Sequence, residues 1–275
     1  MRGIMTGRSG MIDHTSEGRK TVPNLALSTP DRDLATSRSL KPQSTRSSKM
    51  TSSEITPTAS TPEPYYSDDF VTMYHGECQE VLNALNVRPA LILTDPPYGM
   101  AYKPLRGSDG SKRWVDGVRN DGVPFDPTWL LSYRRLILFG ANWYSSKLPD
   151  SGGWIVWDKT PKGVKNGFHA SHAELAWTNL RSSILKVSLQ WGGEARNGEP
   201  HLHPTQKPVG LMRELIETFS EPGDLILDPY MGSGPVAQAC SETGRRYVGI
   251  ELEEKYLKVA VRRLDQGVLN FGGVA

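Results

Sequence analysis

The residues best suited to chemistry are Thr94-Asp95-Pro96-Pro97-Tyr98-Gly99, which close the apolar stretch ALILT at 90–94 and run on from it. In an open α/β sheet the carboxyl end of such a strand opens onto the ligand crevice. Successive prolines fix φ and stiffen the chain, so Asp95 and the Pro96 carbonyl can be held as two acceptors in one plane. The ring of Tyr98 is then available to stack on a flat molecule. The set suits a planar substrate with an exocyclic amine. An acid followed by two prolines also makes a plain strand-to-loop cap, and the triplet alone does not separate the two readings.

A second run, Asp228-Pro229-Tyr230-Met231-Gly232-Ser233-Gly234-Pro235, follows the apolar DLIL at 224–227 and ends on a proline suited to the first position of a helix. Glycines let backbone N–H groups approach a carboxylate or phosphate, and a helix N-terminus favours that negative charge. The later strand RYVGI at 246–250 leads into Glu251, where an acid can accept both ribose hydroxyls of an adenosine cofactor. Tight helix–sheet packing is the competing reading of the glycines. His169 and His172, and His201 and His203, have ligand-like spacing but lack a cysteine or acidic partner set, so no metal is expected.

The elements that must position these runs alternate along the chain. Strands are expected at 70–74, 90–94, 135–139, 154–157, 174–178, 224–227 and 246–250, several of them continuous apolar runs of the kind buried parallel strands show. Helix faces are marked by Val81, Leu82 and Leu85; by Leu211, Met212, Leu215, Ile216 and Phe219; and by Tyr256, Leu257, Ala260, Val261 and Leu264. An α/β fold with an open, mostly parallel sheet follows.

Residues 1–64 contain no Phe, Trp or Tyr and are Ser/Thr/Pro-rich, so a disordered tail is expected there and one folded domain over 65–275. The tail has nine Lys and Arg against six Asp and Glu, so of the formal +2 it carries +3 and the folded part −1. Recognition of a polyanion by bulk charge is thereby excluded; a local patch is required. No stretch approaches the ~18 apolar residues of a membrane span. The first residues lack a secretory apolar core, and Cys78 and Cys240 alone cannot form a disulfide framework. These features predict a cytoplasmic protein.

The sequence resembles the amino-directed DNA methyltransferases that use S-adenosylmethionine. The resemblance rests on D-P-P-Y at 95–98, H-P-T-Q-K-P at 203–208, D-P-Y-M-G-S-G at 228–234 and Y-V-G-I-E at 247–251, with weaker echoes at Gly76-Glu77-Cys78, at 152–159 and in AELAWT at 173–178. The acid box precedes the glycine turn, which is similar to the permuted order of the beta class. The resemblance implies a Rossmann-like fold with helices on both faces of the sheet. It implies a base flipped out of the duplex, with Asp95 and the Pro96 carbonyl on the two amine hydrogens, Pro97 stiffening the turn and Tyr98 stacking. It further places Asp228 and Gly232, Ser233 and Gly234 around the methionine part of the cofactor, Glu251 on its ribose, and Thr205, Gln206 and Lys207 near its carboxylate. Glu77 and Cys78 would meet the adenine, and Tyr98 or Tyr230 could present an aromatic face to the sulfonium. Relatives usually show Asp where Glu77 stands, Phe at Tyr230 and Thr at Pro235.

Asp95 in the first position implies N6 of adenine, with N4 of cytosine the alternative and a catalytically silent binding module the second. Double-stranded DNA is the implied partner, contacted from loops near 100–120 and 159–200. Lys103, Arg106, Lys112, Arg113 and Arg119 give 102–120 a local charge of +3, and Lys159, Lys162 and Lys165 follow the strand at 154–157. The resemblance also raises a homodimer and a companion restriction endonuclease.

Overall fold

A computed structural model of the chain describes residues 61–101, 121–160, 171–191 and 206–271, with side chains through 266 in the last helix. Apart from 61–64, the expected tail lies outside the described residues, as do Lys103, Arg106, Lys112, Arg113, Arg119, Lys162, Lys165 and Thr205. In chain order the elements are β1 (Tyr66–Ser67), β2 (Val71–His75), α1 (Cys78–Leu85), β3 (Leu91–Thr94), β4 (Leu136–Phe139), β5 (Trp154–Asp158), β6 (Ala173–Thr178), β7 (Leu185–Ser188), α2 (Val209–Phe219), β8 (Leu225–Asp228), α3 (Pro235–Thr243), β9 (Arg246–Glu251) and α4 (Glu254–Phe271). Short 3-10 turns lie at Thr128–Ser132, Ala141–Trp143 and Ser145–Lys147. The described residues belong to one compact unit, Arg46–Ala275.

Among the described residues nine strands join one sheet in the order β1-β2-β9-β8-β3-β4-β6-β5-β7. Parallel pairing links β2 to β9, β9 to β8, β8 to β3, β3 to β4 and β5 to β7. β1 is antiparallel to β2, and β6 is antiparallel to both β4 and β5. The seven strands expected from the sequence are present, each within a residue of its expected ends. β1 and β7 are additions: β1 is two residues long, and β7 buries only Val187 of its four.

Strand residues alternate between two apolar layers, as the pleat requires. Leu91, Leu93, Ile137, Phe139, Ile226 and Tyr247 pack with α2, α3 and α4 on one face. Ile92, Leu136, Leu138, Leu225, Leu227 and Val248 pack with α1 and Leu130 on the other. From β8 the chain passes through α3 to β9 on one side, while β3 lies on the other side of β8 beside β4. The β8–β3 boundary is therefore a topological switch point, where open α/β sheets bind ligands. Both chemistry-bearing runs leave the sheet there, at Asp95 and at Asp228.

Candidate active site

Thr94, the last residue of β3, donates its hydroxyl to Asp228 Oδ1 at 2.7 Å, a bond between fully buried side chains 134 residues apart. It ties the acid turn to the glycine turn. Beyond Thr94, Asp95 Oδ1 accepts the Tyr98 hydroxyl and Oδ2 accepts Lys207 Nζ at 2.5 Å. Lys207 also donates to the Tyr98 hydroxyl oxygen at 3.1 Å. Its ammonium lies 5.7 Å from the Tyr98 ring and 5.4 Å from Phe139, within cation–π range. Burial pushes the Asp95 carboxyl up; Lys207 opposes this, and nearby Glu174 adds to it.

Backbone freedom at two glycines gives the turn its shape. Gly140, at the end of β4 with φ +69, leaves the space Tyr98 fills: a Cβ there would meet the ring at 1.9 Å. Gly99 has φ +83, and its Cβ would lie 2.5 Å from Pro124 Cα. Asp121 fixes the following residues, its Oδ1 accepting Gly99 N–H at 2.8 Å and its carbonyl accepting Ala101 N–H at 2.6 Å.

The glycine turn is held as firmly. Gly234 caps α3 with φ +75 and Pro235 takes the first helical position. A Cβ on Gly234 would sit 2.8 Å from Ala260 Cβ, so this glycine also serves helix packing against α4. Glu251 Oε2 accepts Gly232 N–H at 3.0 Å and Oε1 accepts Glu253 N–H at 2.8 Å. Arg263 reaches the Ser233 hydroxyl at 3.4 Å. Asp228 Oδ1 also accepts Tyr230 N–H at 3.2 Å. Burial pushes the Asp228 carboxyl up to about 7, against those hydrogen bonds, and pushes Glu251 up as well.

Glu77 is the N-cap of α1: its Oε2 accepts the N–H groups of Gln79 at 2.8 Å and Glu80 at 3.1 Å, and its Oε1 accepts the Cys78 thiol at 3.3 Å. Burial pushes that thiol up to about 12.

One pocket gathers these groups. Asp95, Pro96, Pro97 and Tyr98 line it, together with Glu77, Cys78, Gln206, Lys207, Asp228, Tyr230, Gly232, Ser233 and Glu251, among apolar neighbours such as Phe139, Met212 and Tyr256. Of the described catalytic and cofactor candidates, only Gly234 lies outside the lining. Lys159 is corrected: the residue grouped with the DNA-contacting lysines is buried and ion-paired to Glu174, with its ammonium 5.0 Å from Trp157. Sequence reasoning also missed Gly140, Asp121 and Glu174 as contributors to the site.

Fold and site together define a doubly wound α/β protein whose pocket joins an acid–proline–aromatic turn to a glycine turn at the switch point. A sequence model of the N6/N4 amino-methyltransferases, described as DNA methylase, matches residues 111–262. The chain belongs to that family. YubD of Escherichia coli (strain K12), whose name assigns it provisionally as a methylase, is 31% identical over 205 residues, covering 69% of this chain and 88% of its own. Type II methyltransferase M.HinfI of Haemophilus influenzae is 29% identical over 250 residues, covering 72% and 70%. Among solved structures, the M1.HpyAVI–SAM complex is 21% identical and covers 70% of this chain and 100% of its own, with a TM-score of 0.47. PvuII DNA methyltransferase (cytosine-N4-specific) is 16% identical, covering 73% and 88%, with a TM-score of 0.48.

Proposed function

We propose that this chain transfers a methyl group from S-adenosylmethionine to the N6 amino group of adenine in double-stranded DNA. Asp95 carries the reading: a carboxylate on a proline-stiffened turn, sharing one pocket with the glycine turn and held beside Tyr98. An amine conjugated with a ring is a weak nucleophile because its lone pair is delocalised. Acceptors on its two hydrogens favour the tetrahedral nitrogen that attack requires. Asp95 takes one hydrogen and the Pro96 carbonyl the other, while Tyr98 stacks on the extruded base. Catalysis is then positioning and electrostatics. Asp rather than Ser at the head of the box favours adenine over cytosine. The relatives named type II methyltransferases support duplex DNA as partner and a companion endonuclease within the same proposal.

The residues present fit the cofactor. S-adenosylmethionine carries a sulfonium and an ammonium, and the glycine-turn part of the pocket holds two carboxylates, Asp228 buried and Glu251 partly so. Neither forms an ion pair among the described residues, and burial disfavours the charge on both. A cation beside them relieves that cost. Asp228 with the 232–234 turn and Gln206 would hold the methionine part, with Tyr230 facing the sulfonium, Glu251 the ribose, and Glu77 with Cys78 the adenine. When bound, the cofactor supplies an electrophilic methyl group.

The test is incubation with labelled S-adenosylmethionine and unmethylated duplex DNA, followed by chromatography of the digested nucleosides. Labelled N6-methyladenine is expected. Label in N4-methylcytosine would keep the chemistry and overturn the base, and binding without label in DNA would overturn both.

A further inference from the structure

We infer that Glu174, on β6, is a positioning residue for Asp95, acting through Lys207. The inference rests on the methyl-transfer reading above and adds a residue that the acid box, the glycine turn and the H-P-T-Q-K-P run do not contain. Four charged groups alternate in sign from the pocket outward: Asp95 and Lys207 belong to its lining, and Glu174 and Lys159 lie beyond it. Asp95 pairs with Lys207 at 2.5 Å, Lys207 with Glu174 at 3.1 Å, and Glu174 with Lys159. The Lys207 side chain is 4% exposed, Lys159 11%, Asp95 22% and Glu174 25%. Formal charges within the chain cancel.

A buried lysine facing Asp95 alone would form a tight one-to-one pair and commit Oδ2 wholly to its ammonium. It would also set an uncompensated positive charge beside a nitrogen that becomes more positive as it is methylated. Glu174 answers both problems. It gives Lys207 a second anion, so the ammonium is shared, and its negative charge offsets that of the lysine. Lys159 in turn keeps Glu174 ionised: burial alone would push the Glu174 carboxyl up, but Lys207 and Lys159 together bring it below its usual value. The strand register brings this about. β6 runs antiparallel to β4, placing Ala176 opposite Phe139, and antiparallel to β5, placing Glu174 opposite Trp157.

Asp95 is faced by Lys207 and by Glu174 of β6, by Tyr98 of its own turn, by Asp228 of β8 and by Tyr144 beyond β4. Of these, Glu174 raises the carboxyl and Lys207 lowers it. Substitutions at the two ends of the chain of charges therefore move Asp95 in opposite senses. Glu174→Gln removes an anion and leaves Lys207 to Asp95, so Asp95 ionises more easily. Lys159→Met leaves Glu174 to draw Lys207 toward itself, so Asp95 ionises less easily.

The experiment measures kcat against pH for the full chain at saturating S-adenosylmethionine and duplex DNA, with KM for each. Glu174→Gln is expected to lower kcat roughly 10- to 100-fold, the scale of a misplaced reacting group, while both KM values stay within about threefold. The acid limb of its kcat profile should move to lower pH, and that of Lys159→Met to higher pH. Should Glu174→Gln not fold, the displacement of the Lys159→Met acid limb to higher pH than that of wild type carries the same decision. A purely structural role would lower kcat equally at every pH; unmoved limbs, limbs moving in the same direction, or a wild-type kcat in Glu174→Gln would overturn the inference. If wild type itself labels no base in DNA, the functional reading fails instead, and the two failures are distinguished.

Discussion

Replacing Asp228 with Asn isolates the cost of holding a carboxylate under the glycine turn. Asp228 is 2% exposed, and burial pushes its carboxyl from an ordinary 3.8 to about 7, against the Thr94 hydroxyl and the Tyr230 N–H, which favour the charged form. Between those values the folded protein keeps a proton that the unfolded chain has released. The contribution of this group to stability is therefore greatest at low pH, falls as pH rises from about 4 to about 7, and is flat above. Roughly three pH units correspond to about 4 kcal/mol of folding free energy lost at pH 8. Asparagine keeps the shape, offers its amide oxygen to Thr94 and Tyr230, and does not titrate. The variant should exceed wild type by up to about 4 kcal/mol at pH 8, or about 8–16 °C in Tm for a domain of this size, and by less than about 2 kcal/mol at pH 5. Thermal unfolding followed by circular dichroism at pH 5, 6, 7 and 8, without added cofactor, measures this. An advantage that does not grow with pH, or none at pH 8, would refute the buried-charge argument. The same variant should bind S-adenosylmethionine more weakly, since the charge that burdens the fold is the one offered to the ligand.

At Gly140, alanine should cost about 1–2 kcal/mol for its left-handed backbone and should displace the Tyr98 ring, so kcat falls while cofactor affinity holds; calorimetric titration alongside kinetics checks it, and normal turnover would contradict the placement of Tyr98. Glu251→Gln should raise the cofactor Kd about 10- to 100-fold, because a hydrogen bond to a charged acceptor is replaced and one of two backbone N–H groups, Gly232 or Glu253, meets a donor. An unchanged Kd by the same titration would remove Glu251 from the cofactor site. The Cys78 thiol, buried and pushed up to about 12, should resist iodoacetamide at pH 8 in the folded protein and react on unfolding; mass spectrometry of the modified peptide decides it, and rapid alkylation of the native chain would show the thiol to be accessible.

Much of this architecture is readable before any coordinates, for physical reasons. Strands buried on both faces must be apolar throughout, so LILT, LILF and LILD announce themselves, and a proline turn or a glycine turn at their carboxyl ends marks where the sheet opens. β1 and β7 stay silent because a strand with one buried side chain or none has no pattern to show. Gly140 is legible only as a glycine after a strand, since its purpose is the Tyr98 ring that arrives from another loop. The charges are the hardest case. Lys159 stands three residues from Lys162 in a basic stretch of sequence, and composition gives the two the same reading. What separates Lys159 from a surface lysine is an acid fifteen residues on, in a strand that runs back against the one Lys159 follows. Lys207 lies 112 residues from Asp95, and only the insertion of β6 as an antiparallel strand between β4 and β5 supplies the Glu174 that binds both lysines. A local motif can present an acid and a ring. The electrostatic state in which that acid works is set by the sheet as a whole, and here three of its four charges lie outside the acid box.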